Sequence, residues 1–244
     1  MTSVPLTRFL SFASDVLEIP LCPEKVSYLY VEGSKNVERV CFALDVTEGA
    51  VDFAAKEGVD LIVTHHPITY GPIPRITGAV ARKVRKLLAN DISLYSAHLP
   101  LDAVFNGPVL AERLGVKVEG RFAYFDGFEA GVYGTTDPDT FHEALAGMGT
   151  ASLHMADRSV CRVGVVTGSG AKGHVVAEAQ SLGLDTLVTG ERSYHGLLSC
   201  EEAGLNVVFL GHYDSELPGL LEFMRKAEKE LSITGIPYTE EREY

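Results

Sequence analysis

Two stretches of this chain spell nearly the same words. GVDLIVT at residues 58–64 returns as GLDTLVT at 183–189, so that Gly58, Asp60, Val63 and Thr64 are answered by Gly183, Asp185, Val188 and Thr189. Similarity at a fixed offset marks one supersecondary unit used twice. Upstream, Val37, Arg39 and Val40 are matched by Val160, Arg162 and Val163, and both neighbourhoods read as buried strands. Downstream, each copy passes through a helical stretch into another apolar run, DISLYSAH and LNVVFLGH, ending in His98 and His212. Strand, helix, strand, helix, strand, helix is the pattern of a parallel sheet with helices on its faces. The expected fold is therefore α/β: two related α/β modules from an internal duplication, 1–120 and 121–244. The join is expected near KVEGRFAYFDGFEAG, where glycines and charges interrupt the pattern, and DPDTFHEALAGMG reads as a helix capped by Asp137 with Pro138 at its first position.

Composition sets the limits around that reading. At 244 residues the chain is near the length at which one core gives way to two. With 46% apolar and 22% charged residues, neither disorder nor a collagen-like chain fits. No apolar run approaches the roughly 18 to 20 residues of a membrane span. The opening MTSVPLTRFLSFASDVLEIP carries Asp15 and Glu18 where a secretory segment is purely apolar, and Leu6, Phe9, Leu10, Ala13, Val16 and Leu17 recur at helical spacing. Cys22, Cys41, Cys161 and Cys200 form no C-x-x-C pair and no even framework, which points to the reducing cytoplasm. A net charge of -12 disfavours nucleic-acid binding.

In open parallel sheets the ligand site lies beyond the carboxyl ends of the strands. There the sequence places His65 and His66 after Thr64, His98 with Asp102 four residues on, and His212 with Glu216 four residues on. Imidazoles with carboxylates suit zinc, iron, manganese, cobalt or nickel. Adjacent histidines on an extended chain point to opposite sides, so His65 and His66 are expected to serve two ions rather than one. A carboxylate from the other module can then bridge the pair. At a helix start, residues four apart share a face; Pro100 weakens that in the first copy and leaves a loop position open for Asp102.

His195 follows the strand that answers the His65–His66 strand, and Glu191 aligns on His66; both are expected at the border of the site. For His195 two roles stand open, general acid or base and orientation of a ligand from outside. His142, His154 and His174 carry no such argument and read as structural or surface residues. GSGAKG at 168–173 follows the strand VGVVT and precedes a helix, the setting of a dinucleotide fingerprint. The first copy has LDVTEGA at that turn, and only three strands remain before the chain ends, half of a dinucleotide fold. The glycines instead leave room for a phosphate-bearing ligand at the helix start.

ALDVTEGAVDFAAKEGVDLIVTHHPITYG, YSAHLPLDAVFNGPVLAERLG, GSGA and TGERSYHGLLSCEEAGLNVVFLGHYDSE together resemble the NIF-three-like family, whose members carry the name GTP cyclohydrolase 1 type 2 homologue. The likeness runs over nearly the whole chain. It implies two α/β domains with a dinuclear metal centre between them, assembled as a hexameric ring of identical chains. It places two divalent ions on His65, His66, Asp102, His212 and Glu216, with Glu216 as the bridge, and leaves His98 and His195 as catalytic candidates. Where many members have AHTNLD this chain has AHLPLD, which keeps His98 and Asp102 and removes two polar side chains at the entrance. The implied activity is a metal-dependent hydrolase of GTP cyclohydrolase 1 type 2 kind, acting on a nucleotide-like or other small phosphorylated substrate. The alternative is a non-catalytic metal-binding adaptor whose ring serves a protein partner.

Overall fold

A computed structural model describes residues 3–22, 25, 27–72, 75–148, 152–154 and 159–239. Met1 and Thr2 of the opening stretch, and Gly149 at the end of DPDTFHEALAGMG, lie outside the described residues. The chain forms two compact units, one of Met1–Leu101 with Leu220–Tyr244 and one of Asp102–Gly219.

In the first unit β1 (Val4–Pro5) pairs antiparallel with β3 (Asn36–Val37). Helix α1 (Leu6–Val16) buries Leu6, Phe9, Phe12 and Ala13, so the expected face forms, with Phe12 inside and Leu10 and Val16 half-buried at its margins. Strands β4 (Arg39–Ala43), β5 (Leu61–Thr64) and β6 (Ser93–Ser96) run parallel, and β2 (Tyr28–Val31) closes the edge antiparallel to β6. Helices α2 (Glu48–Glu57) and α3 (Gly78–Ala89) supply the connections. Alternation along the strands divides the core. Cys41, Ile62 and Leu94 join Val51, Ala54 and Leu87 of these helices, whereas Tyr95 packs on Phe9 of α1.

After the three-residue helix α4 (Leu99–Leu101), the second unit opens with a π-helical turn, Asp102–Asn106, and α5 (Gly107–Arg113). Strands β7 (Lys117–Phe125) and β8 (Phe128–Thr135) form an antiparallel hairpin, followed by α6 (Pro138–Ala146) and β9 (Ser152–His154). Asp137 caps α6 as expected, accepting from Thr140 N at 3.0 Å. Then come β10 (Arg162–Val166), α7 (Gly173–Ser181), β11 (Thr186–Thr189), α8 (Tyr194–Ala203), β12 (Asn206–Phe209) and α9 (His212–Leu231). The second sheet has the order β7-β8-β10-β11-β12-β9, with β10, β11 and β12 parallel. From Leu220 onward α9 belongs to the first unit, and β13 (Thr234–Pro237) pairs parallel with β4 there.

That last pairing corrects the expected boundary at 120/121. The duplicated cores are present, but the carboxyl-terminal segment returns to the first sheet, and residues 102–116 belong with the second unit. The supposed join at 117–131 is the β7–β8 hairpin, turned by Asp126 and Gly127 at φ values of 51° and 86°. Asp-Gly fits because a tight hairpin turn needs two residues in the left-handed region.

The duplication has a physical signature. Asp60 Oδ2 accepts from the backbone N–H groups of Glu38 and Arg39 at 2.8 and 3.0 Å. Asp185 Oδ2 accepts from those of Cys161 and Arg162 at 3.0 and 2.7 Å. In both units one carboxylate thus ties down the start of the neighbouring strand. Gly58 and Gly183 turn the chain just before these aspartates, at φ 61° and 66°.

Candidate metal centre

The first unit gathers three imidazoles at the carboxyl ends of β5 and β6. His65 is fully buried, and its Nδ1 lies 3.0 Å from the Ala97 carbonyl oxygen. His66 is half-buried, with Nδ1 2.8 Å from Asp45 Oδ1. His98 follows β6; its backbone N–H donates to Ser27 Oγ at 2.9 Å, and its ring meets Tyr70 edge-on at 5.4 Å between centres. One ring nitrogen from each of His65, His66 and His98 lies within 4.8 Å of the other two.

The expectation that His65 and His66 point apart is corrected here: their ring centres are 4.7 Å apart. Alternation holds only inside a strand, and β5 ends at Thr64. Beyond it Thr64 Oγ1 donates to the His66 carbonyl at 2.8 Å, and His66 N–H donates to Leu44 O at 2.9 Å. These bonds bend the chain and turn both rings to one side.

The second unit supplies one imidazole, His212, flanked by the carboxylates of Glu216 and Glu191, and a further buried carboxylate, Asp102. Asp102, 7% exposed, is held at Oδ1 by donors from Thr167 Oγ1 at 2.9 Å and Asn106 Nδ2 at 2.8 Å. The loop left open for Asp102 is in fact the π-helical turn: Pro100 sits in the first helical turn, where no backbone donor is required of it, and the helix continues. Glu216, 3% exposed, faces His212 across one turn of α9, with Oε1 3.2 Å from Nε2. His212 Nδ1 lies 2.7 Å from Glu191 Oε1. Burial, the largest single influence, pulls the His212 ring down, but Glu216 and Glu191 together outweigh it and hold its pKa up at about 9. The hydrogen bond from His212 in turn holds the Glu191 carboxyl below its ordinary value.

Gly168, the first glycine of GSGAKG, adopts φ 58°, and a Cβ on it would collide with Glu216 Oε1 and stand 3.1 Å from His212 Nε2. Its N–H donates to Ser215 Oγ at 3.0 Å. The glycine turn is therefore part of the carboxylate site's wall. The donor chemistry fits divalent metal ions. His65, His66 and His212 each have Nδ1 against a carbonyl or carboxylate oxygen, the arrangement that fixes the ring and presents Nε2 to a metal.

The sequence matches Duf34/NIF3 (NGG1p interacting factor 3) over residues 26–240. The chain belongs to the DUF34/NIF3 family. Among its relatives, a GTP cyclohydrolase 1 type 2 homologue of Archaeoglobus fulgidus is 32% identical over 237 residues, covering 95% of this chain and 96% of that protein. One from Deinococcus radiodurans is 33% identical over 251 residues, with 96% and 90% covered. In three dimensions the chain is similar to reduced HcgD from Methanocaldococcus jannaschii, with a TM-score of 0.86, 26% identity and 97% and 98% of the two chains covered. It is also similar to TTHA1606 from Thermus thermophilus, with a TM-score of 0.82, 26% identity and 99% and 100% covered. These family folds match the two α/β units over their full length.

His195 lies on the first turn of α8, exposed, with its ring edge-on to Tyr194 at 5.3 Å; no group of clustered donors among the described residues includes it. Glu191 does border the site, as its alignment with His66 implied. Sequence reading missed Asp45 and Thr167. Asp45 had a signal, since it follows β4 at the same sheet edge as the histidines; Thr167 follows β10 in the same way. Among the described residues no helix is long and apolar enough to cross a membrane.

Proposed function

We propose that the protein is a dinuclear metal-dependent hydrolase in which His65, His66, Asp102, His212 and Glu216 hold two divalent ions, with Glu216 shared. The observation that carries this reading is the orientation of His65, His66 and His212, drawn from both units, each anchored through Nδ1. Chain connectivity supports it. His98 stands four residues before Asp102, where the chain enters the second unit, and Glu216 stands four before Leu220, where it re-enters the first. Both crossings thus fall within about one helical turn of donor residues.

Nitrogen and oxygen donors of this kind suit zinc, iron, manganese, cobalt or nickel. Such ions act as Lewis acids and lower the pKa of a coordinated water from about 15.7 to about 7. Asp45 and Glu191 hold the rings of His66 and His212, while Thr167 and Asn106 hold Asp102. His98 and His195 hold or move the proton between substrate and solvent. The 168–173 turn and Lys172, whose Nζ donates to Ser169 Oγ at 2.8 Å, receive a phosphate. The relatives' name supports a nucleotide-like or other small phosphorylated substrate. By the family likeness the working form is a cytoplasmic homohexameric ring, which light scattering tests directly; a monomer at micromolar concentration would overturn it.

Elemental analysis of purified protein, followed by a turnover screen with metal restored, tests the activity. His65→Ala is expected to lose metal and turnover together, and His195→Ala to keep metal and lose rate. Turnover that survives complete chelation would refute metal dependence. A fully metallated protein inert across a broad screen of phosphorylated substrates would favour the adaptor reading.

A further inference from the structure

We propose that the first unit holds one divalent ion by itself on His65, His66 and His98, a three-imidazole capture site that fills before the carboxylates of the second unit take part. Ring spacing is what points to it. At a metal–nitrogen distance of about 2.0–2.1 Å an imidazole carries its ring centre about 3.2 Å from the ion, so two rings on one tetrahedral ion stand about 5 Å apart. The His65–His66, His65–His98 and His66–His98 ring centres are 4.7, 5.0 and 6.0 Å apart. The only pair wider than this spacing by more than a few tenths of an ångström is His66–His98, and a small rotation of the His98 side chain closes it.

Position assigns His98 its part. His65 is fully buried and His66 is tied to Asp45, whereas His98 lies against Tyr70, which is 64% exposed. An ion arriving from solvent meets His98 at the outer side of the cluster. Three neutral imidazoles leave the ion's double charge uncompensated, so this site is weaker than one containing Asp102 and Glu216. A weaker outer site captures an ion and passes it on. Transfer to the carboxylates rests on the dinuclear reading above; capture itself does not.

The test uses the full chain with cobalt(II) as the probe. In Asp102→Asn/His212→Ala/Glu216→Gln, which disables the second unit's donors, equilibrium dialysis is expected to find one cobalt per chain with visible absorption of four-coordinate type. Adding His98→Ala is expected to abolish it. In the otherwise native chain, where the stronger carboxylate-containing site sets the equilibrium affinity, His98→Ala is expected to slow cobalt uptake. The saturated ratio stays unchanged. A folded triple variant that binds no cobalt, or that keeps its cobalt when His98→Ala is added, would overturn the capture site. If the triple variant does not fold, the native-background pair decides, and an unchanged rate of cobalt uptake overturns it. A native ratio of one that depends on His98 would uphold capture while refuting the dinuclear centre.

Discussion

Replacing Gly168 by alanine separates what the glycine turn does for the backbone from what it does for the site. Gly168 and Gly183 both sit in the left-handed region, at φ 58° and 66°, but a Cβ on Gly183 would meet nothing within 4 Å, whereas one on Gly168 meets Glu216 and His212. A left-handed alanine costs about 1–2 kcal/mol. That term applies equally to both variants, as does the entropy an alanine removes from the unfolded chain. The collision adds an overpacking cost of about 1–3 kcal/mol in Gly168→Ala alone. In a chain of this length 1 kcal/mol moves the melting temperature by about 2–4 °C. Calorimetry of the metal-free proteins is therefore expected to show Gly168→Ala melting about 2–12 °C below Gly183→Ala. Metal titration should find the affinity reduced only in Gly168→Ala, because Glu216 and His212 must shift. Equal melting temperatures and equal metal affinities in the two variants would refute the placement of the glycine turn against the carboxylate site.

Asp45→Asn and Glu191→Gln should each lower metal affinity about 10- to 100-fold while leaving the circular dichroism spectrum unchanged, since each near-isosteric change alters the partner of a ring nitrogen and keeps the side chain's size; native affinity in both would remove their positioning role. In the metal-free protein the His212 pKa of about 9 lies above its ordinary 6.5. Its contribution to stability is therefore fully present below about pH 6.5 and is lost as pH rises through 9. Because a metal must displace that proton, affinity should climb between pH 7 and pH 9 and level off above, and a flat profile would contradict the pairing of His212 with Glu216 and Glu191. Glu216→Gln should lose more bound metal than Asp102→Asn, as measured by elemental analysis, because a shared carboxylate neutralises both ions; equal retention would remove the shared role.

The duplication was legible because its chemistry resists change. Asp60 and Asp185 each satisfy two backbone donors, and Gly58 and Gly183 each hold a left-handed turn before them. The histidines and carboxylates were legible because strand ends announce themselves where an apolar run stops. What escaped was non-local or fine-grained. β13 is four residues, TGIP, and nothing in so short a run says that it returns to β4. The bend after Thr64 rests on one hydroxyl and one carbonyl, which alternation along an extended strand ignores. The β7–β8 hairpin was hidden by its charges and glycines, although Asp126-Gly127 is a strong turn signal. Asp45 escaped because a lone carboxylate after a strand looks like any solvated loop residue until the histidine it orients is in place.

Whether the two donor sets hold two ions together is tested most directly by metal content. Purified protein is saturated with one divalent metal, freed of excess and read by elemental analysis alongside the His212→Ala variant. Two ions per native chain and one or fewer in the variant are expected. A native ratio of one, or two ions retained without His212, would contradict the dinuclear centre.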